Sequence, residues 1–443
     1  MKVKKVLIIL LLILLFIVTW AMVITAASGE QKKKEQNGMV SEADGYAGRA
    51  LYVRAIPLYE SALEISTDLN PEIEAKLLSS YFSHGDENKY ISLVEKRMVD
   101  DTATDEEVLN AAGYLINHSS TAEAMKMLET GIEKSGSQIL TDYYESNAYK
   151  YKMVGTDYQE VIPAENDKLL AAFDGSKWYY IDSEYAWVRM GSLSFNSATA
   201  FSPEGYAVVS DGQMLYTILE DGDHYGASSE KFEDIFGISG KRILAKKEGK
   251  YSYYSPDFEP IAESHQYDEI TCNADGVAAV KKGEQWGIIT DGGKVVVDFT
   301  LEDVAVNSLK KAFSNGCAMV KYGGRWHLIN TEGEEIIEDS FADARAPESD
   351  GYIAVADDNG KWGFIDRNGN PVIDHLYDDA MSFSDGLAPV KAGNRWKYIS
   401  VMNNRVIDED LLEAGPFHNG KAIVKTMDGA VIIKLMYYRK SKY

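Results

Sequence analysis

Seven histidines and two cysteines are the residues of this chain whose chemistry would be easiest to use, and their spacing gives them little to act with. His84, His118, His224, His265, His327, His375 and His418 are scattered. No two stand four apart as a helical zinc site requires, and no Cys-x-x-Cys occurs. Two cysteines make no disulfide framework, so Cys272 and Cys317 read as buried thiols. Neither a Gly-x-Ser-x-Gly elbow nor a Walker-type loop is present. The expectation is a chain that is not an enzyme, with no catalytic residue, no metal ligand and no cofactor. Two carboxylates facing a cleft, as in a hydrolase, remain the exception.

Carboxylates and indoles are left. Paired acids recur as Glu233-Asp234, Asp268-Glu269, Glu302-Asp303 and Asp378-Asp379. They suit an acidic surface band for cations or a basic partner; the plainer reading is that they cap turn amides. No Asp-x-Asp-x-Asp-Gly loop turns them into a calcium site. Trp178, Trp286, Trp326, Trp362 and Trp396 would serve as stacking platforms for cell-wall glycan, but an aromatic recurring once per unit at fixed phase marks a buried repeat anchor. With 45 Lys and Arg against 69 Asp and Glu, the net charge of −24 excludes nucleic acid, whose phosphates need a basic surface.

These residues keep a period, and the period dictates the elements that hold them. The last four tryptophans are separated by 40, 36 and 34 residues. Upstream the same point falls on Trp178, Met214 and Tyr251, and downstream on Val431. A second mark, an apolar residue before each acid pair, recurs as Phe232, Tyr267, Leu301, Phe341 and Tyr377. A third, Gly-x-Ala-x-Val, recurs at Gly205, Gly276, Gly316 and Gly386. Around Trp362 the unit reads as strand, tight turn at Asn368-Gly369, strand. Three short strands cannot bury their apolar face alone, so neighbours must stack. Eight anchors favour closure as a propeller-like ring over an open β-solenoid.

Trp286-Gly287-Ile288-Ile289 and Trp362-Gly363-Phe364-Ile365 resemble the WG-repeat family (the Trp-Gly β repeat) over roughly residues 171–437. Trp326-His327 and Trp396-Lys397 keep the tryptophan without its glycine. Upstream, Tyr46, Ala55, Tyr59 and Ala62 resemble the small and aromatic positions of a tetratricopeptide unit, with Tyr90 and Arg97 departing from it. Both resemblances define architecture, not ligand; together they imply a bacterial envelope protein.

The expected organisation is a multidomain chain of α and all-β parts. Lys2, Lys4 and Lys5 precede the uncharged run 6–27, long enough as a helix to cross a bilayer. It is read as a membrane anchor (1–27) with the N-terminus inside and the bulk extracytoplasmic, or else as a cleaved signal peptide. A linker (28–42), a tetratricopeptide-like helical solenoid (43–152), a connector (153–170) and the β-repeat domain (171–437) follow. The expected function is a membrane-anchored, non-catalytic binding scaffold for an unidentified protein partner, with glycan binding and an envelope hydrolase or its regulator as alternatives.

Overall fold

The computed structural model describes residues 29–437 except 66, 119, 167, 189, 192, 240 and 262–266. It divides into two compact units, one ending at Tyr144 and one beginning at Glu145.

Among the described residues the first unit is built from helices: α1 (29–47), α2 (Tyr52–Leu63), α3 (Asn70–His84), α4 (Glu87–Val99), α5 (Asp105–Asn117) and α6 (Thr121–Ser135). A seventh, α7 (Gln138–Ala148), ends the helical run. The sequence sets their ends. Pro71 opens α3 in its first turn and Gly85, at φ 80°, closes it. Thr104 and Glu107 cap α5 reciprocally, each side chain bonding the other's backbone amide. Successive helices pack through Ala55, Tyr59 and Ala62 of α2 and Leu77, Leu78 and Tyr81 of α3, all buried. Tyr90 and Arg97, the departures from the repeat pattern, are buried too. Arg97 survives there because Nε lies 3.1 Å from Glu107 and Nη2 donates to the Thr102 carbonyl at 2.7 Å. The stretch 28–42 is helical from 29 onward, and buried Gln36 holds it by donating to the Ala62 and Ile65 carbonyls.

The second unit is an eight-bladed β-propeller. Each blade is an antiparallel sheet of three or four strands. Blade 6 shows the pattern: Asp343–Ala344, Ile353–Ala356, Trp362–Ile365 and Pro371–Tyr377, hydrogen-bonded in that order. The two middle strands are buried on both faces, which is why they read as continuous apolar runs and not as alternation. Trp362 and Phe364 face blade 7, in one cluster with Phe383, Ala388 and Ile399, while Ile365 faces blade 5. Eight such clusters exist, one for each pair of neighbouring blades.

The eighth cluster joins Ala430 and Ile432 of the last blade to Val161, Leu170 and Ile181 of the first, so the ring is closed. A strand from the start of the unit fastens it: Tyr151–Gly155 pairs with the final strand, Tyr151 opposite Leu435 and Gly155 opposite Val431. The ring therefore begins at Tyr151, at the end of the stretch read as the helical domain, and takes in the whole stretch read as a connector.

Pairing between the first and last strands closes the repeats into the favoured ring and excludes the second reading, an open solenoid. The expected transmembrane helix and single-pass membrane location are corrected: among the described residues no helix is long and apolar enough to cross a membrane, so neither is supported. The apolar run 6–27 that prompted both lies outside the described residues.

Candidate functional site

The repeated residues meet at the rim of the ring. Trp286, Trp326, Trp362 and Trp396 are each buried against the next blade, and Trp178 is half-buried in the equivalent seam. A cation covers each of the first four rings. Lys281, Lys321 and Lys391 place Nζ 5.5, 5.8 and 5.8 Å from the centroids of Trp286, Trp326 and Trp396. Each lysine is its tryptophan's cross-strand neighbour. In blade 6 that neighbour is Ala356, and Arg345 supplies the charge instead, 4.7 Å from Trp362. The glycine after Trp362 is steric: a Cβ on Gly363 would lie 2.6 Å from the Ile373 carbonyl oxygen, where the outer strand crosses over it.

The apolar residue before each acid pair belongs to the preceding blade. Leu301 and Tyr377 lie opposite Trp286 and Trp362, and Phe341 is bridged to Trp326. The acids then open the next blade. Its first acid caps the hairpin turn: Glu233 accepts from Gly249 N at 2.8 Å, Asp268 from Gly283 N at 2.9 Å, Glu302 from Gly324 N at 3.2 Å and Asp378 from Gly393 N at 2.7 Å. Lys361 and that Gly393 amide hold the Asp378 carboxyl below its usual range. The second acids bind locally as well: Asp234 with Tyr251 Oη, Glu269 with Lys281, Asp303 with the Val304 amide and Asp379 with Arg345. These acids bond within their blades or to a neighbour and do not converge. Among the described residues no group of three or more His, Cys, Asp and Glu is placed to hold a metal ion.

The axis of the ring breaks the repetition. Where blades 4, 7 and 8 join their first two strands by residues 271–276, 381–386 and 415–420, blade 5 uses residues 305–316. This longer loop crosses the ring. Ser308 reaches Glu348 of blade 6 and His418 of blade 8. Lys310 donates to the Phe236 carbonyl of blade 3, and Lys311 pairs with Glu165 of blade 1. Cys272 of blade 4 donates its backbone amide to the Lys310 carbonyl at 2.8 Å. The tip is rigid. Asn307 Oδ1 accepts from the amides of Leu309 and Lys311 at 3.0 Å each, its Nδ2 donates to the Pro347 carbonyl, and Lys310 is held at φ 63°.

Burial retunes the groups under this loop. Glu348 is pushed up to about 7 by burial, against the pull of Ser308 and Lys311. Burial, helped by Lys311, pushes His418 down to about 4. The two shifts belong together. Ser308 Oγ stands 3.2 Å from Glu348 Oε1 and 2.8 Å from His418 Nε2, and one hydroxyl proton serves only one of them. A protonated Glu348 supplies the second proton and a neutral His418 the vacant acceptor, so the chain carboxyl, hydroxyl, imidazole is satisfied without a buried charge. Beside it lies a cavity of about 120 Å³ between this loop and blades 1 to 4, lined by Ala164, Ala200, Phe201, Ile235, Cys272 and Lys310 among others. Burial raises the Cys272 thiol to about 11. It also lowers the Lys310 ammonium.

None of Ser308, Lys310, Glu348 or His418 was singled out as a functional candidate from sequence. The signal for the loop was present: the interval from Trp286 to Trp326 is the longest of the three. Trp187, exposed and stacked on exposed Tyr185 with ring centroids 5.1 Å apart, was missed likewise; its signal is a tryptophan out of phase with the others.

Comparison with known proteins follows this geometry. The family model described as WG containing repeat matches residues 253–286, 286–326, 328–362 and 362–396. These matches run from anchor to anchor and so straddle the blade boundaries. No curated protein sequence matches the chain. Similar solved structures include a eukaryotic initiation factor, with 13% identity over 66% of this chain and 90% of that one at a TM-score of 0.43. Saccharomyces cerevisiae Sqt1 matches with 12% identity, 66% and 99% coverage and a TM-score of 0.41. The Neurospora crassa Pan2 WD40 domain matches with 11% identity, 69% and 94% coverage and a TM-score of 0.32. Likeness this distant says nothing of ligand or partner. The chain is a repeat β-propeller protein that carries WG repeats.

Proposed function

We propose that this chain is a non-catalytic scaffold for protein–protein interaction, with the helix pairs acting as a tetratricopeptide-like array and the propeller as a second binding surface. The observation that carries the reading is the division of aromatic side chains in the ring. Trp286, Trp326, Trp362 and Trp396 are buried in the seams between blades, whereas Tyr185 and Trp187 stand exposed by 56% and 68% as a stacked pair beside blade 1. Exposed aromatics held in place are the residues that dominate interfaces. The axial Ser308 and His418 do not make a nucleophile of the triad kind. In a triad the carboxylate orients the imidazole, whereas Glu348 bonds the hydroxyl, and a histidine titrating near 4 is a weak base.

The test is chemical crosslinking of the full chain in its own cells, with the Tyr185→Ser/Trp187→Ser double variant and a Met402→Ser control on blade 7. Support is a stoichiometric partner lost from the double variant and retained by the control. Recovery of no such partner, or a partner insensitive to both, overturns the reading. The same stacked pair favours a second reading, because a sugar ring also lies on such a platform. Co-sedimentation with purified glycan that survives high salt and fails in the double variant would establish it.

A further inference from the structure

Three residues stand side by side across the strands of several blades: an acid on the first strand, a lysine on the second and, on the third, the residue that faces the next blade. They are Glu269, Lys281 and Trp286 in blade 4, Asp303, Lys321 and Trp326 in blade 5, and Asp379, Lys391 and Trp396 in blade 7. In blade 8 the same register holds Glu413, Lys425 and Ala430. The acid and the lysine are in place, 3.1 Å apart, but a methyl group stands where the indole should be. Val431, which the sequence offered as the anchor of this blade, faces blade 7 instead, and Ala430 faces blade 1. The space is left open. A cavity of about 380 Å³ lies there, lined by Ala430, Lys425 and Glu413 of blade 8 and by Gln159, Glu160 and Val161 of blade 1. The lysine records the loss as well: the Lys281 side chain, over its indole, is 21% exposed, and the Lys425 side chain 50%. Blade 2 provides the comparison. Its anchor position falls on Leu215, opposite Ser210, and a cavity of about 460 Å³ opens between blades 2 and 3. A void thus accompanies a small anchor at both seams, and of the two blade 8 keeps the paired lysine across from it.

We propose that the seam between blades 8 and 1 is a binding site for an uncharged bicyclic aromatic ring of the indole type, which takes the place of the missing side chain beneath the Lys425 ammonium. The other seams are the template: in blades 4, 5 and 7 an indole fills this register position with a lysine over its face. Size agrees, since an engineered cavity of about 150 Å³ admits benzene and this one holds about 380 Å³. The side toward the ring wall is apolar, through Val161, Ile423 and Ala430. The cation selects a π-face over a saturated ring of the same shape. Glu160 and Glu413 at the same opening disfavour an aromatic carboxylate, which would meet like charge. The site stands apart from the scaffold reading, which rests on Tyr185 and Trp187. A ring bound here joins the last blade to the first, as the indoles join their neighbours elsewhere, so binding favours the closed ring.

The probe is indole, titrated into the full chain and followed by ligand-observed NMR, with tetrafluoroindole as the analogue whose ring face has lost its negative charge. The expected result is saturable binding of indole. Its preference over tetrafluoroindole should be about two- to five-fold greater in the wild type than in Lys425→Met, which keeps the stem and removes the cation. Ala430→Trp supplies the ring covalently and should abolish indole binding, whereas Leu215→Trp, which fills the cavity of the other seam, should leave it unchanged. Thermal melts certify that the variants are folded, and the Lys425→Met comparison stands whether or not Ala430→Trp folds. An N-acetyl-Gly-Trp-Gly-amide peptide separates the two sources of such a ring. If it binds more tightly than indole, the ring arrives on a protein chain; if more weakly, as a free molecule. Indole binding undiminished in folded Ala430→Trp overturns the proposal, as does an equal preference in wild type and Lys425→Met. Absence of saturable binding of both indole and the peptide to the wild-type chain overturns it too.

Discussion

The rim and the axis of the ring follow opposite rules. At the rim the same tasks recur from blade to blade: in blades 4 to 7 a tryptophan sealed against the next blade with a cation over its face, and in blades 3, 4, 5 and 7 an acid on the hairpin turn. At the axis blades 4, 7 and 8 repeat a six-residue loop, and blade 5 departs from it. One long loop from blade 5 meets Glu348, His418, Glu165 and Phe236, each supplied once by a different blade. Repetition here builds the ring, and departures from repetition mark where it is specialised. A residue that must do one thing in blade after blade is chosen for packing; a residue that appears once is free to be chosen for something else.

The largest effect that would break this comparison is at the rim. Trp362→Ala removes a buried indole from the seam of blades 6 and 7 and is expected to cost about 3–5 kcal/mol, read as a lowered denaturation midpoint of the ring. Gly363→Ala should cost about 1–3 kcal/mol, because its methyl would collide with backbone of the outer strand. If both substitutions prove silent, the tryptophans are not the joints of the ring and the distinction between rim and axis collapses.

The axis makes its own prediction through protons. Glu348 has a folded value of about 7 against an ordinary 4.5, so its contribution to stability is complete below about 4.5 and is lost as pH rises through 7. His418 has a folded value of about 4 against 6.5, so its contribution is complete above 6.5 and is lost as pH falls through 4. Each amounts to about 3 kcal/mol over its window, with opposite sign, so between about 4.5 and 6.5 they cancel. Folding in effect moves one proton from imidazole to carboxyl. Glu348→Gln should therefore gain stability relative to wild type as pH rises from 4.5 to 7, and His418→Gln should gain it as pH falls from 6.5 to 4. Urea denaturation at a series of pH values reads both slopes. Equal, flat differences would show that burial, among the facing groups Ser308, Lys311 and Asp350, does not hold the pair neutral.

What sequence disclosed divides along the same line. The period of tryptophans and of paired acids exposed the blades, because any residue repeated at fixed phase must have a fixed structural duty. It also offered both the turn-cap role that Asp268 and Asp378 play and the buried-anchor role of Trp286. Closure was less legible, since the strand Tyr151–Gly155 finds its partner at the far end of the unit and carries no local mark of it. The helix at 29–47 was hidden by its polar composition; its order comes from the buried stripe Gln36, Val40 and Ala43 and from Asp44, which accepts from Tyr59 of α2 and Lys76 of α3. The axial roles of Glu348, His418 and Lys310 were invisible because a residue that occurs once has no phase to betray it. The long interval before Trp326 showed that something had been inserted, but not that it crossed the axis.

The smallest effect sharpens the comparison most. Lys321→Met removes the cation over Trp326 while keeping the stem that packs along the ring, and should cost about 0.5 kcal/mol. The rule of repetition requires the same small cost for Lys391→Met and, in a Glu269→Gln background that removes the 2.7 Å Lys281–Glu269 ion pair, for Lys281→Met, because each pairs across strands with its tryptophan in the same register. Arg345→Met in blade 6 should cost more. That guanidinium lies closer to its ring and also donates to Asp379 at 2.8 Å and to the Ala380 carbonyl at 3.2 Å, tying blade 6 to blade 7. Equal costs at the three lysines and a larger one at Arg345, read from denaturation midpoints, are what a rim of interchangeable parts with one substitute component demands. Unequal costs among the lysines would mean that each blade is specialised after all, and that the rim of blades 4 to 7 departs from its own pattern as the axis does.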